Sequence, residues 1–305
     1  MKVFILRRLL QSLVVIFLVY SATFWLLMAT PGDPFLGHKL PPAAILAALK
    51  ARYGLNDPVH AWLAYAWRII AHGDLGPTIS YENWTVLDVI RSTFPVSIAL
   101  GSLSLLIALW LGVAAGLAGA IFRGQWPDLA TTVFSLLGIS LPTFVIGSAL
   151  LMLLSVDLMV FPSGGWGTFS QLFLPAITLA IPYLAYIARL TRGSVLDTLS
   201  ADFIRTARAK GVGRTAVLTN HLLPNASIPV LTFLGPATAG ILTGSFVVEK
   251  LFAIPGLGQV FVNACLDKDI PLVLGTVLVY TTLLVLLNLA VDILCAVADP
   301  RIRLQ

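Results

Sequence analysis

Charge is scarce in this chain. Only 11% of its 305 residues are Asp, Glu, Lys or Arg, where a soluble domain carries roughly 25%. A soluble fold of this size cannot hide so much apolar surface, so lipid must be part of the solvent. Cysteine is nearly absent too, with 2 in the chain, Cys265 and Cys295. That excludes a disulfide framework and a cysteine-rich zinc site. No G-x-x-x-x-G-K-[ST] occurs, so the chain has no phosphate-cradling loop of its own. Gly211-Val212-Gly213 and Gly256-Leu257-Gly258 are too short to substitute for one. There is no H-E-x-x-H, and the 4 scattered histidines make no metal site. Nor is there a G-x-S-x-G nucleophile elbow. No metal, cofactor or catalytic residue is therefore expected in this chain. The net charge of +5 is modest and localised, which argues against nucleic acid as a partner.

What is present is hydrocarbon. Hydrophobic residues make up 58% of the chain, and the mean hydropathy is +0.93. Uncharged runs cover residues 9–29, 96–122, 129–156, 226–248 and 270–291. A further uncharged stretch, 158–188, is broken by Ser163-Gly164-Gly165, which places its helix at about 173–188. About 20 helical residues at ~1.5 Å rise cross a ~30 Å hydrocarbon core. Backbone polar groups in lipid need internal partners, so the expectation is an all-α integral membrane protein with about six spanning helices. The first run exceeds the length of a signal-peptide core and lacks a small-x-small site after it, so it reads as a retained helix.

Basic residues set the expected orientation. With the N-terminus in the cytoplasm, the inside segments hold Lys2, Arg7, Arg8, Arg123, Arg189, Arg192, Arg205, Arg208, Lys210, Arg214, Arg301 and Arg303, which is 12 of 19. Both termini are then cytoplasmic. The domains read as 1–30, a tail and the first span; 31–95, an external segment; 96–296, the spanning core with an inner loop at 189–224; and 297–305, a cytoplasmic tail. The two cysteines fall on opposite sides.

The external segment shows two short helical patterns. Residues 42–53 place Ile45, Leu46 and Leu49 on one face, with Gly54 as the stop. Residues 58–71 carry Trp62, Tyr65 and Trp67, which suit either headgroup-level anchoring or docking of an external partner.

The inner loop carries six basic residues and two acids between 189 and 224. Ser200 fits an N-cap and Asp202 the first turn. Phe203, Ile204 and Ala207 share a face, with Arg205 and Arg208 beside it. Lys210 falls in the last turn and Gly211 at C′. Such a capped helix, an apolar ridge with a basic rim, suits a groove on a partner protein; topology and contact with anionic lipid account for the same charges.

The stretch Asp202-Phe203-Ile204-Arg205-Thr206-Ala207-Arg208-Ala209-Lys210-Gly211, then nine residues, then His221-Leu222-Leu223-Pro224, resembles the EAA loop of ABC importer permeases. Ala207, Gly211, Leu223 and Pro224 match that pattern in register. Arg205 stands in place of its acidic residue, Thr206 of its first alanine and His221 of its isoleucine, a form similar to the peptide-importer branch. With Arg205 at that position, the chain offers no carboxylate there. Pro31-Gly32-Asp33-Pro34, Leu55-Asn56-Asp57-Pro58, Gly73-Asp74-Leu75-Gly76, Pro255-Gly256-Leu257-Gly258 and Asp299-Pro300-Arg301 extend the resemblance along the chain. It is nearest the oligopeptide B-type permease.

The resemblance implies a type I ABC importer permease fold and an ATP-driven translocation subunit for oligopeptides. It implies a second related permease, two cytoplasmic ATPases that hold ATP-Mg, and an extracytoplasmic binding protein. It assigns Asp202, Phe203, Arg205, Thr206, Ala207, Gly211, His221, Leu223 and Pro224 to coupling with an ATPase. A dipeptide or nickel permease of the same family is the alternative. A stand-alone secondary transporter is disfavoured because no span carries a charge at its centre. Gly112-x-x-x-Gly116 and Gly240-x-x-x-Gly244 allow close helix approach, and Pro255-Gly256 marks a candidate outer gate. Pro142, Pro175, Pro182, Pro229 and Pro236 can kink their helices.

Overall fold

The computed structural model describes residues 2–31, 57–243 and 246–298. The helical pattern at 42–53, the motif at 32–34, Gly244 and the motif at 299–301 lie outside them. Twelve helices follow one another among the described residues. They are α1 (Lys2–Ala29), α2 (Pro58–His72), α3 (Val86–Ile121), α4 (Trp126–Ser140), α5 (Thr143–Leu150), α6 (Phe169–Ser200), α7 (Asp202–Ala209), α8 (Arg214–Val217), α9 (Leu223–Thr243), α10 (Phe246–Leu251), α11 (Leu257–Asp267) and α12 (Ile270–Ala298). Wider π turns, Leu151–Asp157 and Leu218–Leu222, extend α5 and join α8 to α9.

Among the described residues, five helices are long and apolar enough to cross a membrane, and six spans result if one bent pair is counted as a single span. That pair occupies the third span expected at 129–156 and bends it far more sharply than a kink at Pro142. α4 and the α5 segment meet at an angle of 110°. Leu141 is extended, with ψ 132°, and Pro142 follows it. A residue before proline is pushed out of the helical region, and the proline brings no N–H to continue the ladder. Other helices outrun their apolar cores. α3 starts ten residues before the expected 96, and α6 covers 169–200 rather than 173–188.

Contacts divide the chain into two compact units, Met1–Ser97 with Pro255–Val285, and Ile98–Ile254 with Leu286–Gln305. In the first, α2 is built from strong local signals. Asp57 accepts the N–H groups of Val59 and His60, both at 3.1 Å, Pro58 fills the first turn, and Gly73 ends the helix at φ 62°. Its aromatic residues part company. Trp62 and Tyr65 lie against Tyr20 of α1, whereas Trp67 is 67% exposed. Burial pushes the Tyr65 phenol far above its ordinary pKa, with the nearby Tyr20 adding to the shift. The hydroxyl stays a donor, to the carbonyls of Leu75 at 2.9 Å and Pro271 at 3.2 Å.

Asp269 organises this unit, and nothing in the sequence singled it out. It is 0% exposed. Oδ2 accepts the N–H groups of Ile79 and Ser80, both at 2.8 Å, and Oδ1 accepts that of Leu272 at 3.1 Å. One carboxylate thus caps α12 and pins the 73–85 loop. Lys268, next to it, donates to the carbonyl of Pro31.

In the second unit α3 and α4 lean on α6. A Cβ at Gly112 would stand 2.9 Å from the Leu184 carbonyl, and one at Gly116 would stand 2.5 Å from that of Ala188. A Cβ at Gly240 would meet the Tyr183 hydroxyl at 2.5 Å. Close approach, rather than a special backbone angle, is what these three glycines supply.

Candidate functional site

The basic loop is a second-unit structure built on the end of α6. That helix does not stop at the membrane-length core but runs on to Ser200, so 189–200 is helix rather than loop. Ala201, not Ser200, occupies the N-cap of α7, and its side chain makes no cap bond. Ser200 instead donates to the Asp197 carbonyl at 2.8 Å and closes α6. The single residue between the two helices, Ala201, leaves no room for a free serine cap.

The far end of α7 is well made. Lys210 is the C-cap and Gly211 takes φ 77°. Gly211 N–H donates to the Arg208 carbonyl at 3.0 Å and Val212 N–H to the Ala207 carbonyl at 3.1 Å. Those two bonds form a Schellman motif, and Val212 completes it by packing on the apolar cluster below.

The expected apolar ridge divides. Ile204 is 0% exposed and Ala207 is buried with it. Both sit on Val195 of α6, Val217, Leu222 and Ala226. Phe203 alone is left outside, 46% exposed. A 3.6-residue repeat separates Phe203 from Ile204 by about 100°, enough for one to face the chain and the other solvent. Asp202, Arg205, Thr206, Arg208, Ala209 and Lys210 are exposed around it. Asp202 lies 3.7 Å from Arg205, an exposed pair that contributes little. After the turn, Leu222 is buried, His221 half-buried, and Leu223 and Pro224 exposed. Leu223 N–H reaches back to the Leu218 carbonyl, which opens the π turn just before Pro224.

One ion pair braces this platform, and sequence reasoning missed it. Asp128, in the first turn of α4, meets Arg192 Nε of α6 at 2.5 Å. Its other oxygen accepts the Gly124 N–H at 2.9 Å. Thr131 Oγ1 ties α4 to the Ala115 carbonyl of α3 at 3.0 Å. The pair spans 64 positions, so no local pattern announces it.

The remaining candidates are elsewhere. Pro255 is exposed, and Gly256 is buried as the N-cap of α11. Gly256 has φ −93°, an angle open to any residue. Leu257 N–H donates to Ser97 Oγ at 2.8 Å.

The exposed α7 on a long membrane helix has clear relatives. Residues 86–304 match the binding-protein-dependent transport system inner membrane component family, and residues 1–101 match the N-terminal component of the same systems. The chain belongs to this family. The permease is 40% identical to the oligopeptide transport system permease protein OppB of Salmonella typhimurium over 302 residues, 98% of this chain and 99% of that one. It is 40% identical to the dipeptide transport system permease protein DppB of Lactococcus lactis subsp. cremoris, covering 99% of each chain. Among solved structures, the permease fold is shared with the inward-facing MetNI methionine ABC transporter, with a TM-score of 0.54 and 19% identity over 70% of this chain and 97% of that one. The type I importer fold is thereby established for an integral membrane permease.

Proposed function

We propose that this chain is the translocation subunit of an ATP-driven importer that carries peptides across the cytoplasmic membrane, with both termini inside. Identity near 40% along the whole length of oligopeptide and dipeptide permeases supports the peptide cargo. The observation that carries the coupling role is the division of α7: Ile204 and Ala207 are locked into the chain's own core while Phe203 and the basic rim stand clear. A lever must be held by one side and gripped by the other.

The partners are a second, related permease, two cytoplasmic ATPases and an extracytoplasmic binding protein. ATP-Mg belongs to the ATPases, and this chain holds no cofactor. When the ATPases close, a cleft around Phe203 moves α7. Ile204 and Ala207 pass that displacement to α6 through Val195 and to α9 through Leu222 and Ala226. The cargo path opens alternately outward and inward. His221, Leu223 and Pro224 flank α7 on the same loop and complete the contact surface.

Uptake of labelled oligopeptides should vanish on deletion of the gene and return with it. A strain that keeps peptide uptake without a redundant importer, and loses nickel uptake instead, would overturn the cargo and leave the importer class. Single cysteines at Ser80 and Thr198, without Cys265 and Cys295, test the orientation. An impermeant maleimide should reach position 80 and not 198 in cells with a permeabilised outer barrier.

A further inference from the structure

Helix α2 presents three sectors. At about 100° per residue, Val59, Leu63, Trp67 and Ile70 fall within roughly 80° of one another, and each is more than half exposed. Beside them His60, Ala64, Arg68, Ala71 and His72 make a second exposed sector, polar or small. These two sectors take in every exposed residue of the helix. The remaining face, with Ala61, Trp62 and Tyr65, packs against Tyr20 and Phe24 of α1 and Ile270 and Leu274 of α12. Apolar side chains scattered singly over a surface need no partner, but four large ones in one contiguous sector do.

The border with α1 says what covers the apolar sector. On that side the sector continues through Ala66 to Trp62, whose ring meets that of Phe17 with centroids 5.8 Å apart. Phe17 is itself exposed, in line with exposed Leu13 and Leu10 on the turns below it. All three belong to the uncharged run 9–29 of a spanning helix, where exposed hydrocarbon meets lipid. Neither Ala66 nor Trp62 carries a charge, so the apolar surface passes from α1 onto α2 without a polar rim. A patch made for docking a protein ends in such a rim. The depth agrees. Phe17 lies twelve residues before the end of α1 at Ala29, about 18 Å at ~1.5 Å per residue. Tyr20 donates its hydroxyl to the Trp62 carbonyl at 2.6 Å. α2 therefore lies beside the uncharged run and not above it.

We infer that the Val59–Leu63–Trp67–Ile70 sector rests on acyl chains of the outer leaflet, and that the external segment is held to the bilayer through α2. The word outer rests on the orientation proposed above; the lipid contact does not. His60, Arg68 and His72 then face away from lipid. Trp67 sits at the edge of the apolar sector next to His60, where an amphipathic ring suits the boundary between hydrocarbon and water. The aromatic residues of α2 thus divide their work: Trp62 and Tyr65 fasten the helix to α1, and Trp67 fastens it to lipid. Tyr65 also holds the Leu75 carbonyl, so a helix fixed in the leaflet steadies the 73–85 loop.

The test uses the complete transporter, with Cys265→Ser and Cys295→Ser, in vesicles of phosphatidylethanolamine and phosphatidylglycerol. A nitroxide is attached to a single cysteine in place of Leu63, Ile70, Ala64 or Ala71, with Leu13 of α1 as the hydrocarbon reference. Oxygen concentrates in hydrocarbon, and a neutral nickel chelate stays in water. The oxygen-to-nickel collision ratio at 63 and 70 should approach that at 13 and exceed that at 64 and 71 by at least about threefold. Nickel collisions as frequent at 63 and 70 as at 64 and 71 would place the sector in water. Shielding of 63 and 70 from both relaxants would place it under the second permease. Loss of oxygen collisions on adding peptide-loaded binding protein would make it that protein's dock. Each of these three results overturns the inference. Maleimide labelling of position 198 instead of 80 in cells overturns the orientation alone and moves the same contact to the inner leaflet.

Discussion

Two loops of this permease are held by opposite chemistries. The 73–85 loop hangs on polar groups: the Asp269 carboxylate collects the N–H groups of Ile79 and Ser80, and the Tyr65 hydroxyl holds the Leu75 carbonyl. The basic loop hangs on hydrocarbon, with Ile204, Ala207, Val217 and Leu222 in one cluster. Hydrogen bonds are directional and fix one geometry. Apolar burial is non-directional and resists exposure more than it resists small sliding. The first arrangement suits a fixed wall, and the second suits a part that must transmit displacement.

The comparison breaks most visibly at Asp269. Asp269→Ala orphans three N–H donors, that of Leu272 buried and those of Ile79 and Ser80 part-buried, and the buried one alone costs about 1–3 kcal/mol. The expected result is a large drop in Tm of the purified protein and early proteolysis within 73–85. Asp269→Asn, which keeps one acceptor oxygen, should fall between. A near-wild-type Tm for the alanine variant would mean that water replaces the carboxylate and the wall is not polar-anchored. Ile204→Ala comes next, at roughly 2–4 kcal/mol for a truncated core residue. Its loss should be confined to faster hydrogen exchange across 201–222, with 73–85 unchanged.

Smaller effects sharpen the same contrast. Gly211→Ala forces a Cβ into the left-handed region at a cost of about 1 kcal/mol. Exchange at the Gly211 and Val212 amides should quicken, with little change in Tm. Phe203→Ala should alter stability by no more than about 0.5 kcal/mol, as an exposed side chain outside the core. Peptide uptake and peptide-stimulated ATPase should nevertheless fall together. If Phe203→Ala melts the loop instead, its ring belongs to the platform and not to the gripped side.

Much of this was legible along the chain. The spanning helices follow from uncharged runs, and α2 follows from Asp57, Pro58 and Gly73 at its ends. Gly211 at C′ needed only the helix before it. The depth of the bend in the third span was not legible, because a proline in an apolar run is compatible with a gentle kink or a full break. Leu141 and Pro142 chose the break. Ser200 failed as a cap because α6 claimed it first. The apolar residues of α7 were all visible, but their division was not, since adjacent hydrophobic side chains carry no label of what covers them.

Membrane residence, the apolar cores of the long spanning helices and the position of the basic segment were determined by the sequence itself. Each depends on sums over neighbouring residues: hydropathy over about 20 positions, caps over four, charge over a short segment. Tertiary structure alone decided that Asp128 meets Arg192, that Asp269 binds a loop 190 positions away, and that Ile204 turns inward while Phe203 turns out. Those choices follow from which surfaces meet when helices pack. A carboxylate far from its partner in sequence takes its place only once the backbone has delivered the donor to within hydrogen-bond reach.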